Sequence, residues 1–110
     1  RDVNYVDDVA RAFIMVADSD IASGDVFNLG GDPISLRKFV QTVICELGKG
    51  KMREMKFPEN RKAIEIGNYI ADYSKIKRVL GWEPEISFND MVTLMIDHDL
   101  KLAEKELKML

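Results

Sequence analysis

The chain has 110 residues, 46% hydrophobic and 32% charged, and its sixteen basic and nineteen acidic side chains leave a net charge of −3. A chain of this length supports one small core that buries about two thirds of its unfolded surface, and no apolar run approaches the roughly eighteen residues that cross a bilayer. Disorder, membrane insertion and a nucleic-acid partner are therefore not expected, and any anion site has to be local.

The single cysteine, Cys45, cannot form an intramolecular disulfide, and no basic stretch followed by an apolar signal core opens the chain, so a cytoplasmic location is expected. The first residue is Arg1, inside a predicted strand, which reads as part of a longer protein. Val3 and Tyr5 to Val6 look extended and predict a strand over residues 3 to 6. Asp7 and Asp8 then open a helix with Val9, Ala12, Phe13 and Val16 on one face. Asp7 is the predicted N-cap and Asp8 complements the helix dipole, each worth on the order of 1 kcal/mol or less. Ser23, Gly24 and Asp25 make a turn before Val26 to Leu29, read as a short buried strand that includes Asn28 and ends at Gly30 and Gly31.

The next helix is the best specified, with Leu36, Phe39, Val40, Val43, Ile44 and Leu47 on one face. Ser35 is its predicted N-cap, Ile34 and Phe39 are spaced for a hydrophobic staple, and Gly48 supplies the left-handed stop. Cys45 falls opposite the apolar face and has no histidine beside it in sequence, which argues against thiol catalysis. Met52, Met55 and Phe57 suggest a third strand over residues 52 to 57, within a basic stretch broken by Glu54. Residues 58 to 69 lose periodicity and predict a long, binding-competent loop that contains Arg61 and Lys62.

A short helix follows, starting at Asp72 or Ser74, carrying Ile76, Val79 and Leu80, and stopped by Gly81, with Trp82 as a packing anchor beyond it. Ser87 caps a final helix with Phe88, Val92, Ile96, Leu100, Ala103, Leu107 and Leu110 along one stripe. Met91 and Met95 widen that stripe, and Asp97–Lys101 and Glu104–Lys108 are spaced as ion pairs.

Chemistry-bearing groups are sparse. One histidine and one cysteine offer no metal-ligand spacing, and His98, between Asp97 and Asp99, reads as a solvated helical residue. Gly30-Gly31 and Gly48-Lys49-Gly50 lack the nucleotide fingerprint. Tyr73 and Lys77 stand in a Tyr-x-x-x-Lys pattern, with no dinucleotide fold upstream to bring a nicotinamide against them.

Three strings nevertheless occur in a specific order. Arg1-Asp2-Val3-Asn4-Tyr5-Val6-Asp7-Asp8, Val26-Phe27-Asn28-Leu29-Gly30, and Ala71-Asp72-Tyr73-Ser74-Lys75 followed by Leu80-Gly81-Trp82-Glu83-Pro84 resemble the carboxyl-terminal part of the extended short-chain dehydrogenase/reductases. These are the nucleotide-sugar epimerases and dehydratases typified by UDP-glucose 4-epimerase. The resemblance implies an α/β fold, a mainly helical small lobe with short strands, that serves as the substrate-binding lobe of an enzyme whose Rossmann domain is absent from this chain. Residues 1–97 would form the lobe and residues 98–110 an amphipathic helical tail. It further implies a nucleotide-sugar ligand, a UDP-sugar first, with Arg1 and Arg61 matching the two family arginines that hold its diphosphate. A guanidinium suits that task because its planar fork matches phosphate oxygens and stays charged. The full-length parent would use NAD to remove and return hydride at a sugar carbon, and this chain by itself would be inactive. The alternative reading is a non-catalytic self-association module, a homodimer built from the lobe and its last helix.

Overall fold

Four helices form where apolar residues recur at helical spacing, and the computed structural model describes all residues from Arg1 to Leu110. They are α1 (Val6–Ala17), α2 (Leu36–Leu47), α3 (Ser74–Leu80) and α4 (Phe88–Lys108). Single 3-10 turns occur at Asp20–Ala22 and Glu59–Arg61. The only sheet is a two-residue ladder, β1 (Asp2–Val3) antiparallel to β2 (Asp32–Pro33), with Asp2 opposite Pro33 and Val3 opposite Asp32. The fold is thus mixed α/β and mainly helical.

Local signals place the helix ends well. Ser35 Oγ accepts the Lys38 amide at 3.1 Å and Ser87 Oγ accepts the Asp90 amide at 3.2 Å, each filling one of the free first-turn donors. Gly48 and Gly81 close α2 and α3 at φ of 70° and 75°, where a Cβ would be strained. Asp32 reaches across to the start of α4, its carboxylate accepting the Phe88 amide at 3.2 Å.

The core has two centres. Ala12, Ile76 and Trp82 are buried together, with Phe27, Leu29 and Tyr73 packed around them. Phe88, Met91 and Val92 form the second centre against α2, which contributes Phe39 and Val43, and the Phe39 and Phe88 rings meet tilted, 5.5 Å apart. Ile34 lies on this centre beside Phe39, as a staple requires. Gly30 and Gly31 stand where the chain returns against β1 and residues 71 to 73. A Cβ on Gly30 would come within 2.6 Å of the Ala71 carbonyl oxygen, and one on Gly31 would overlap the Val3 carbonyl.

The predicted strands are mostly corrected. Residues 26 to 29 and 52 to 57 make no ladder, and the strand expected over 3 to 6 is only Asp2–Val3, with α1 beginning at Val6. A strand needs a neighbour at hydrogen-bonding distance, and neither segment runs alongside β1 or β2, which pair only with each other. Phe27 and Leu29 still reach the core, whereas Val26, Asn28 and Met55 are exposed. Phe13 and Leu36, assigned to buried faces, are also exposed. The Asp97–Lys101 and Glu104–Lys108 pairs do not close, and the contact in that turn is His98 Nδ1 to Asp99 at 3.1 Å.

The chain measures 48 × 39 × 25 Å with a radius of gyration of 17.7 Å. A compact domain of this length has about 13 Å. The excess belongs to the exposed loop over residues 58 to 70 and to the far half of α4, which stands clear of the core. No helix is long and apolar enough to cross a membrane.

Candidate functional site

The segment Arg1–Asp8 connects the two places where polar chemistry concentrates. At one end, Asp8 is 3% exposed and joins α1 to the loop after α3. Its carboxylate accepts the Glu85 and Ile86 amides at 3.1 and 3.0 Å, and its carbonyl accepts Trp82 Nε1–H at 2.9 Å. Arg11 completes the joint, donating to Asp8 at 3.3 Å and to the Glu83 carbonyl while its guanidinium stacks 5.8 Å from the Trp82 ring. Asp8 is therefore no simple helix cap. Asp7 does not cap α1 either, because Tyr5 holds the N-cap position with no side-chain bond, and Asp7 lies exposed in the first turn.

The Ala-Asp-x-Ser-Lys string is equally structural. Asp72 accepts the Ser74 amide at 2.8 Å, which holds its carboxyl below the usual range. Lys75 Nζ spans to Asp25 at 2.6 Å and to the Val26 carbonyl at 2.8 Å, over the Phe27 ring at 4.9 Å. The ammonium hydrogen bond lowers the Asp25 pKa, with the Val26 amide adding to the effect. Tyr73 and Lys77 take no catalytic arrangement. Tyr73 packs edge-on to Trp82 at 5.8 Å, and Lys77 pairs with Glu83 at 2.9 Å, which raises the lysine pKa.

At the other end of the segment, Arg1 opens onto a cleft of about 410 Å³ whose wall includes Ser35, Phe57, Glu65, Gly67 and Asn68. The Arg1 guanidinium is engaged by the Glu65 carboxylate, which also accepts the Gly67 amide at 3.3 Å. Next to Arg1, Asp2 ties β1 to the segment that follows the cleft wall: its amide donates to the Tyr69 carbonyl and its carboxylate accepts the Ala71 amide, both at 3.2 Å. Arg61 closes the 3-10 turn at Glu59–Arg61, and its carbonyl accepts the Glu65 amide at 3.1 Å. Its own side chain is exposed and outside the cleft wall. The backbone thus ties the Arg61 turn to the cleft without bringing the two guanidinium groups together.

Glu65, as the partner of Arg1, and Arg11, as the cover of Trp82, carry no sequence signature as functional residues. Their contacts run to positions 64 and 72 residues away, beyond any local pattern. Cys45 is exposed on α2, and no three histidine, cysteine or carboxylate side chains converge on a metal position.

Residues 1–95 match the family described as GDP-mannose 4,6 dehydratase. The chain belongs to the extended short-chain dehydrogenase/reductases that act as nucleotide-sugar epimerases and dehydratases. Among relatives in this family, it is 36% identical over 92 residues to UDP-glucuronate 4-epimerase of Thermodesulfobacterium geofontis, covering 82% of this chain and 27% of that protein. It is 29% identical over 97 residues to dTDP-4-dehydro-6-deoxyglucose reductase of Escherichia coli, covering 87% of this chain and 29% of the relative. A 42-residue stretch, 38% of this chain and 11% of the relative, is 48% identical to GDP-mannose 4,6 dehydratase 2 of Arabidopsis thaliana. The chain therefore spans less than a third of the length of these family members. No solved structure matches it.

Members of this family bring a nicotinamide cofactor to their chemistry, and the residues here do not fit one. The only strands are a two-residue antiparallel pair, so no parallel strand–helix–strand unit presents a glycine-rich turn to a pyrophosphate.

Proposed function

We propose that this chain is the substrate-binding lobe of an NAD-dependent nucleotide-sugar epimerase or dehydratase, with the cofactor and the acid/base residues carried by the rest of the parent. The observation that supports this reading most is the Arg1 cleft. A fork-shaped cation stands at its wall, already satisfied by a carboxylate, and family membership makes a nucleoside diphosphate sugar the natural anion to replace that carboxylate. Arg1 binds the diphosphate, and Arg61 approaches the outer phosphate when the turn at Glu59–Arg61 moves toward the cleft. A UDP-sugar is our first choice of ligand, in keeping with the UDP-glucuronate 4-epimerase similarity across most of the chain. The lobe alone is inactive, because hydride removal at a sugar carbon needs a bound nicotinamide and a proton-transfer pair.

Titration of the chain with UDP, UDP-glucose and inorganic diphosphate, followed by amide NMR, tests this. Shifts are expected at Asp2, the first backbone amide beside Arg1, at Arg61 and at Glu65 to Asn68, and Arg1→Ala removes them. An absence of shifts at about millimolar ligand, a concentration that reports binding as weak as about −4 kcal/mol, overturns the assignment of this cleft.

A further inference from the structure

The far half of α4 carries an apolar row with no cover. Val92 is 1% exposed under α2, Ile96 is half-buried, Leu100 is 50% exposed and Leu107 is 68% exposed, all along one continuous line. The exposure follows from length. At about 1.5 Å per residue α4 runs about 32 Å and α2 only about 18 Å, so α2 covers the near half and leaves the rest bare.

From Ile96 the row steps through Leu100, Ala103 and Leu107 by four and three residues, the spacing of a helix-to-helix seam, and Leu110 follows just beyond the helix end at Lys108. The charges beside that seam are of one sign. With about 100° between successive residues, Asp99 and Glu106 flank it on one side and Glu104 and Asp97 on the other. Lys101, Lys105 and Lys108 turn to the outer face. A second copy of this helix, in either direction, would set carboxylates against carboxylates along both edges, a repulsion that works against pairing. Asp99 also stands at the lip of the groove formed by Phe39, Val43 and Ile96, where the seam begins.

We propose that this face of α4 is a docking surface for an amphipathic helix of another polypeptide whose apolar stripe is bordered by lysine or arginine. The apolar row supplies contact area and the four flanking carboxylates select a basic partner. The surface is separate from the Arg1 cleft and works whether or not that cleft holds a nucleotide sugar.

The test uses the full 110-residue chain and two synthetic helical peptides with the same leucine stripe, one flanked by lysine and the other by glutamate, in a fluorescence anisotropy titration. The lysine-flanked peptide should bind at least tenfold more tightly, and added salt should weaken it. L100S/L107S should abolish binding with unchanged circular dichroism, since both side chains are exposed. D99K/E106K should shift the preference toward the glutamate-flanked peptide. Equal binding of the two peptides, or binding of neither, overturns the proposal. So does a wild-type dimer by sedimentation that L100S/L107S converts to monomer, which makes a second copy the occupant. Binding to phosphatidylserine vesicles in place of the peptide likewise overturns it.

Discussion

The first eight residues end in two charged groups that meet opposite circumstances. Asp8 is buried, with two backbone amides and Arg11 on its carboxylate, and it ties the start of the chain to Trp82, 74 residues later. Arg1 lies 38% exposed by side chain on a cleft, with one carboxylate as its partner. A buried group with every bond satisfied holds a fold together, whereas a half-exposed cation with a replaceable partner is available to a ligand. The same motif therefore contains a structural joint and a candidate binding group.

Substitution at the joint should have the largest effect. Trp82→Ala removes a fully buried ring and is expected to cost about 3–5 kcal/mol in urea unfolding. Asp8→Ala strands the Glu85 and Ile86 amides and should cost about 2–4 kcal/mol, with Asp8→Asn recovering part of this through its remaining carbonyl. At the other end, Arg1→Ala should change stability by less than about 1 kcal/mol, because its ion pair is solvent-exposed, while abolishing the diphosphate-induced amide shifts. If Arg1→Ala destabilises as much as Asp8→Ala, the contrast between the two ends is wrong.

Glu65→Gln sharpens the comparison from the ligand side. It removes the charge that competes for Arg1 and should tighten diphosphate binding by up to about fivefold, measured by calorimetry, a gain consistent with the modest worth of an exposed pair. The smallest effect concerns Asp25, whose pKa is lowered from 3.8 by Lys75. A carboxyl with a folded pKa below its unfolded one contributes stability above the unfolded value and loses it as pH falls through the folded value. Lys75→Met should therefore make stability less sensitive to acid below about pH 4, read from thermal unfolding across pH.

Features set by neighbouring residues were legible in the sequence. Ser35, Gly48, Gly81 and Ser87 terminate helices where the pattern places them, since a cap needs only the turn beside it. Trp82 is the anchor its size and position suggest. The strands were not legible. Val26 to Leu29 and Met52 to Phe57 have strand-like composition, but pairing depends on a second chain segment arriving alongside, and none does.

The candidate site divides in the same way. Arg1 is visible as a motif residue, and the family is readable from the order of three short strings confirmed over residues 1–95. Glu65 on Arg1, Arg11 over Trp82, and the backbone link from Arg61 to the cleft depend on contacts across the fold. The sequence alone determined the four helices, their ends at Ser35, Gly48, Gly81 and Ser87, and the family, because these follow from periodicity, caps and ordered motifs within short windows. Only the tertiary structure decided which charged groups are buried joints and which remain open. Burial and ion pairing are properties of segments brought together, and no spacing within a single segment encodes them.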